Sequence, residues 1–257
     1  MHRASLAFVP VLAVLLALPP AARAETPPGD EALFAAIEKN DAATVEKLVG
    51  ADPRLIAARD EDGISVVIRA GTARGAEGFL CTHENPLLRS ILSRKPELDV
   101  FDAALVGDQQ RLAALVAGDP KLVSAVSPLG WRPLAYAAFG GNIAAVAFLL
   151  GKGADVNARA GTRFKNTPLQ IALLCSEAGA AKALLDRGAD PNLRQTGDFV
   201  ALHEAASTGR IDIMQLLIDH GAELSPRTVK GETPLAVAGR KGKAEAVSWL
   251  KARGAKD

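Results

Sequence analysis

The sequence has little of what catalytic or covalently stapled folds need. Only two cysteines occur, Cys81 and Cys175, which excludes a disulfide-dense scaffold. Aromatic residues are 4% of the chain, with a single tyrosine. No sign of charge dominates, since 30 Lys+Arg face 29 Asp+Glu. That balance argues against a nucleic-acid binder, which needs a basic footprint to displace counterions from phosphates. It argues equally against docking on anionic lipid. No Gly-x-Ser-x-Gly elbow occurs to seat a nucleophile. The glycines of "GTARGAEG", from Gly71, lack both a Gly-Lys-Ser/Thr ending and a preceding apolar strand, so they make no phosphate cradle. Beyond residue 24 no apolar run is long enough to span a bilayer.

The apolar run that does exist is at the start. Met1-His2-Arg3 is followed by a nearly all-apolar stretch from Leu6 to Leu18, then Ala22-Arg23-Ala24. A short basic head, an apolar core too short to cross a membrane and small residues before a cut predict a signal peptide over 1–24, cleaved after Ala24. Pro10, Pro19 and Pro20 would interrupt any helix there. No cysteine near the cut marks a lipid anchor. The expected product is an exported, periplasmic chain with no membrane insertion after cleavage. Losing Arg3 and Arg23 leaves 28 Lys+Arg against 29 Asp+Glu.

What fills the remainder is repetition. Two landmarks recur in step. Gly-Ala pairs stand at Gly153, Gly188, Gly221 and Gly254. A turn onto Leu stands at Arg132-Pro133-Leu134, Thr167-Pro168-Leu169, Val200-Ala201-Leu202 and Thr233-Pro234-Leu235. Both series advance by 35, 33 and 33 residues. Upstream, the stretch from Phe34 matches the stretch from Phe101, so that Asp52-Pro53 falls on Asp119-Pro120 and Gly63 on Gly130. That offset of 67 reads as a duplicated pair of units. Each unit predicts two short helices. Proline in the first turn loses no intrahelical bond. Leu169, Ile171, Ala172 and Leu173 form the inner helix of one unit, 180–187 its outer helix, and Gly188 the stop. Neither helix is long enough to hold alone in water, so neighbours must stack.

The segments "TPLQIALL", "ALHEAASTGR" and "TPLAVAGRKGK", with the closures "GADVNA", "GADPN" and "GAEL", resemble the ankyrin-repeat family. The resemblance covers nearly all of the expected mature chain. It implies an all-α ankyrin-repeat solenoid in one domain over 25–257. About seven helix-turn-helix units with β-turn fingers are expected, near 30–62, 63–96, 97–129, 130–164, 165–197, 198–230 and 231–257. The second unit fits worst: after Thr72 an insertion of about ten residues precedes an outer helix at 86–93. The family stacks its units into a curve whose concave face binds another protein. Such stacking advances roughly 10 Å per unit. Cys81 and Cys175, about three units apart, are then too distant to bridge.

Candidate chemistry is sparse. His203, in "ALHEAA", fits a family position where the ring bonds a neighbouring finger. His220 ends a helix, where a cation suits the dipole. Cys81, His83 and Glu84 share the insertion and offer one alternative, a metal- or thiol-dependent enzyme, though Cys-x-His supplies only two of the three or four ligands zinc needs. The expectation is no enzyme, no cofactor and no metal. Binding residues are expected where the repeats vary: at the finger tips, just before each Thr-Pro-Leu turn, and at the ends of inner helices. These are Trp131, Phe139, Arg163, Phe164, Lys165, Asn166, Leu174, Phe199, Ser207, Thr208, Glu232, Arg240 and Lys241. Aromatic and arginine anchors carry most binding energy at interfaces. The expected partner is an unidentified protein and not nucleic acid. The chain itself is expected to be a monomer, with a self-associating envelope scaffold as the other alternative.

Overall fold

A computed structural model describes residues 28–75, 78–79 and 85–256. The expected signal peptide, and the Cys81, His83 and Glu84 candidates, lie outside the described residues. Among the described residues fourteen α-helices pair as seven antiparallel hairpins. They are α1 (Pro28–Glu38) with α2 (Ala42–Ala51), α3 (Val66–Gly71) with α4 (Pro86–Ser93), and α5 (Val100–Val106) with α6 (Gln109–Gly118). Then come α7 (Pro133–Phe139) with α8 (Ile143–Gly151), α9 (Pro168–Leu174) with α10 (Ala178–Leu185), α11 (Ala201–Thr208) with α12 (Ile211–Asp219), and α13 (Pro234–Arg240) with α14 (Ala244–Ala252). Each inner helix packs on the next inner helix in chain order, from α1 and α3 through to α13. This is an ankyrin-repeat solenoid. Helix α10 begins and ends two residues before its expected span.

Local chemistry explains the short inner helices. Thr167 accepts from the Gln170 N–H while Gln170 accepts from the Thr167 N–H, a reciprocal cap at the start of α9. Thr233 caps α13 through the Ala236 N–H, and Ser65 caps α3 through the Ile68 N–H. The inner helices are mostly seven residues long and, α3 excepted, turn at once into the outer helix through a left-handed residue. Gly107 fills that role with φ of 77°, and a Cβ there would meet Asn142 Oδ1 at 2.4 Å. Asn142 in turn donates to the Leu105 carbonyl at 2.5 Å, which ties one hairpin to the next.

The stack has one irregular joint. Between α2 and α3, and before α7, α9, α11 and α13, the chain makes a β-turn finger. Turn bonds such as Gly63 N–H to Asp60 O, Gly130 N–H to Ser127 O and Gly231 N–H to Thr228 O close them at 2.8 Å. Between α4 and α5 only residues 94–99 intervene, and no finger forms. The second hairpin compensates on the opposite end. Its helices are joined by the long connection 72–85, within which β1 (Arg74–Gly75) pairs antiparallel with β2 (Gly78–Phe79). Along the outer row α2 packs on α4 and α6 on α8, but an open cleft of about 540 Å³ separates α4 from α6, lined by Leu92, Pro96, Leu98, Val106 and Arg111.

Candidate functional site

The fingers ahead of α7, α9, α11 and α13 lie edge to edge. Gly161 donates to the Gly130 carbonyl at 2.7 Å, Thr196 to Phe164 at 2.9 Å and Val229 to Gly197 at 3.0 Å. Two arginines repeat this linkage with their side chains, and a third, Arg227, closes its own finger. Arg159 Nη1 donates to the Arg194 carbonyl at 2.6 Å, Arg194 Nη1 to Arg227 at 2.9 Å and Arg227 Nη1 to Gly231 at 2.8 Å. Asparagines close the far side of the same joints. Asn157 accepts from the Asp190 N–H at 2.9 Å, and Asn192 from the Glu223 N–H at 2.8 Å. The result is a rigid row of finger tips beside the ends of the inner helices.

The structure sorts the expected binding residues into two groups. Arg163 and Lys165 are exposed at the longest finger, Phe164 is half-buried between them, and the Arg163 guanidinium lies 4.9 Å from the Phe164 ring centre. Phe199 is half-buried against His203, with ring centres 5.2 Å apart. Leu174 and Ser207 are half-buried, while Thr208, Arg240 and Lys241 are exposed. Glu232 accepts from Arg240 Nε at 2.8 Å. Near them Glu204 is half-buried on α11, and desolvation raises its carboxyl above the usual range against the opposing pull of Lys241.

The other group is a correction. Trp131 is only 6% exposed, Phe139 is 0% exposed and Asn166 is 8% exposed, so none stands as a free anchor. Trp131 packs on Tyr136 and Phe139 at 5.2 and 5.6 Å, and Tyr136 on Phe101 at 5.7 Å. Phe101 lies in the first turn of α5, the end at which other hairpins carry a finger. With no finger there, the aromatic rings cover α5 and become core. Asn166 is held inside the finger row by a hydrogen bond to Gln195 Oε1. Cys175 is buried at the C-terminal cap of α9.

The positions of His203 and Gln170 explain each other. Both occupy the third residue of an inner helix. Gln170 accepts from the Thr167 N–H at 2.9 Å and donates to the Leu193 carbonyl at 2.7 Å. His203 Nδ1 accepts from the Val200 N–H at 3.2 Å, which leaves Nε2–H to donate to the Glu232 carbonyl at 3.1 Å. Val200 has no side-chain oxygen to accept from the first helical turn, so only the ring's half of the reciprocal cap is made. Burial holds the His203 pKa below its ordinary value. Asp102, at the same position of α5 and 2% exposed, accepts from the Ser65 hydroxyl and from the Asp99 N–H instead. Burial, then the charge of Asp99, pushes its carboxyl up to about 6. The arginine linkage and Asp102 were not among the expected residues. The linkage has a signal in the spacing, because Arg194 and Arg227 stand 33 residues apart, one repeat.

Among the described residues no three His, Cys, Asp or Glu side chains gather to hold a metal ion, and no helix is long and apolar enough to cross a membrane. What the geometry offers is a surface of exposed and half-buried finger and helix-end side chains. Comparison with known proteins points the same way. The chain matches the family described as "Ankyrin repeats (3 copies)" over residues 100–195 and 196–257, more than half its length. It is 31% identical over 113 residues to Alpha-latrocrustotoxin-Lt1a of Latrodectus tredecimguttatus, which is 44% of this chain and 8% of the toxin. It is 44% identical over 57 residues to the 2-5A-dependent ribonuclease of Mus musculus, 22% of this chain and 8% of that protein. These two relatives are thus matched over a small fraction of their own length. Cyclin-dependent kinase 4 inhibitor B of Bos taurus is 34% identical over 124 residues, 48% of this chain and 92% of the inhibitor. By its repeats, its stacked hairpins and these matches, the chain belongs to the ankyrin-repeat family.

Proposed function

We propose that the chain is an exported binding module that holds another protein against the finger row and inner-helix ends of its C-terminal hairpins. In this reading it acts in the periplasm as an immunity or accessory factor for a protein there. One observation carries the reading most directly. The fingers ahead of α9, α11 and α13 are locked together by backbone and arginine bonds, and they present Arg163, Phe164, Lys165 and Phe199 beside Leu174, Ser207, Thr208, Glu232, Arg240 and Lys241. A rigid face loses little conformational entropy on binding, so its contacts are kept as affinity. A relative named as a kinase inhibitor supports the reading too, since this chain matches 92% of its length.

The test is capture from periplasmic extract with the parent chain and a Phe164→Ala/Phe199→Ala variant. The variant should keep the parent's helical circular dichroism and lose the captured protein. A folded variant that retains every captured protein would place the contact elsewhere.

A further inference from the structure

The near-zero net charge of the chain hides a polarity along the stack. Residues 130–257 hold 17 Lys+Arg against 12 Asp+Glu, whereas residues 25–129 hold 11 against 17. Six cations of the second half, Arg159, Arg163, Lys165, Arg194, Arg227 and Lys230, stand on the fingers ahead of α9, α11 and α13. We propose that the fingers ahead of α9, α11 and α13 dock an acidic, extended protein segment. This rests on the protein-binding reading above and names the chemistry of the partner.

The state of the arginines carries the argument. Arg159, Arg194 and Arg227 each give Nη1 to a backbone carbonyl. A carbonyl fixes a guanidinium in place without cancelling its charge. The remaining donors of the planar fork suit a carboxylate taken two bonds at a time. Among the described residues, the only carboxylate within 4 Å of Arg159, Arg163, Lys165, Arg194, Arg227 or Lys230 is Asp198, 3.7 Å from Arg194. The first finger makes the contrast. Arg59 likewise gives Nη1 to the Gly63 carbonyl, but its Nη2 is paired with Asp99 at 2.8 Å. Arg69 beside it is paired with Asp60 and Asp62. The guanidinium of the first finger is therefore neutralised, whereas among the described residues Arg159 and Arg227 have no carboxylate within 4 Å and Arg194 has one only at 3.7 Å.

The strip is not purely ionic. Val229 is 70% exposed between Arg227 and Lys230, and Phe164 is half-buried between Arg163 and Lys165. Apolar side chains alternating with cations fit a segment in which acidic and apolar residues alternate. A polyanion recognised by charge alone would not use them. Ordered cations also steer the encounter, so association should fall steeply with salt.

The experiment uses the full chain and three fluorescent probes at low salt: a twelve-residue peptide alternating Glu and Val, its Gln–Val counterpart, and a dT oligonucleotide of equal length. The Glu–Val peptide should bind at least about tenfold tighter than the other two. A Lys165→Glu/Lys230→Glu variant, which leaves the arginine linkage intact, should lose at least about tenfold for the Glu–Val peptide alone. Equal binding of the Glu–Val and Gln–Val peptides would overturn the proposal, as would tighter binding of the oligonucleotide or an unaffected charge-reversal variant. A parent chain that forms a dimer abolished by the same variant would overturn it in favour of a second copy as occupant. The periplasmic capture separates this proposal from the broader reading. If Phe164→Ala/Phe199→Ala loses the partner but Lys165→Glu/Lys230→Glu keeps it, the binding face stands and the acidic partner falls. If neither loses it, both fall.

Discussion

Arg240 donates through Nε to Glu232 at 2.8 Å, and these two residues occupy in the last hairpin the positions that Trp131 and Phe139 hold three hairpins earlier. In both cases the residue just before the helix cap meets the residue at the end of the inner helix. The same geometry is filled by an exposed ion pair in the last hairpin and by buried rings in the fourth. Their energetics should differ accordingly. Trp131→Ala removes a ring packed against Tyr136 and Phe139 and should cost about 3–5 kcal/mol in urea unfolding. Glu232→Ala should cost about 1 kcal/mol or less, because the pair is solvent-screened. A Trp131→Ala loss as small as that of Glu232→Ala would mean the aromatic cluster does not brace α5.

His203 makes the stack sensitive to acid. Its Nδ1 must stay unprotonated to accept from Val200, and burial already disfavours the charged ring. The folded pKa lies below the ordinary 6.5 of the unfolded chain. The contribution to stability is therefore complete above 6.5 and is lost as pH falls from there toward the folded value. Gln170 shows that an amide can make the same two bonds. His203→Gln should hold near-parental stability at pH 8 and outlast the parent as pH drops below 6.5. The check is the difference in urea midpoint between the two chains, measured from pH 8 to pH 5. A difference that stays constant over that range would leave the ring without a titrating role.

Much of this architecture was legible because its signals are local. A Thr-Pro-Leu turn caps a helix by its own side chain, and the Gly-Ala pair stops one by its own backbone. The joint between α4 and α5 was hidden by compensation. The connection 72–85 lengthens the second hairpin while the six residues 94–99 replace a finger, so Phe34 and Phe101 still keep an even beat of 67. The one local hint is Asp99, a helix cap that follows closely on α4. The burial of Trp131 and Phe139 had no such hint. It depends on which surface α5 leaves uncovered, and spacing within one repeat does not report on the neighbour. The exposed Arg163 and Lys165 were legible for the converse reason, since a lengthened finger tip projects whatever its neighbours do.

Ser176 turns α9 into α10 with φ of 55°, a left-handed conformation that Gly107 and Gly209 supply elsewhere in the stack. A Cβ in that region is strained, and glycine removes the strain at the cost of a freer unfolded chain. Ser176→Gly should therefore stabilise the protein by about 0.5–1 kcal/mol. The Arg210 bond to the Ser176 carbonyl uses backbone and survives the change. Thermal unfolding of the two chains side by side decides it, and a lower midpoint for the glycine variant would show that the serine side chain contributes more than its backbone strain takes away.

Asp102 acts in the opposite pH sense to His203. Its neighbours are Ser65 from α3, Asp99 at the head of its own helix, and Arg59 from the first finger. Folding raises its pKa from 3.8 to about 6, so the folded state prefers the protonated acid. The contribution is fully present below 3.8 and declines as pH rises through about 6, by roughly 2–3 kcal/mol in total at 1.36 kcal/mol per pH unit. Asparagine keeps an oxygen for the Ser65 hydroxyl and carries no charge. Relative to Asp102→Asn, the parent should therefore gain stability as pH falls from 7 to 4.5, and above pH 7 the gap should be flat. Because His203 is present in both chains, its acid loss cancels in the comparison. A gap that does not change between pH 7 and 4.5 would mean Asp102 keeps an ordinary carboxylate pKa, with the Arg59 and Ser65 contacts offsetting its burial.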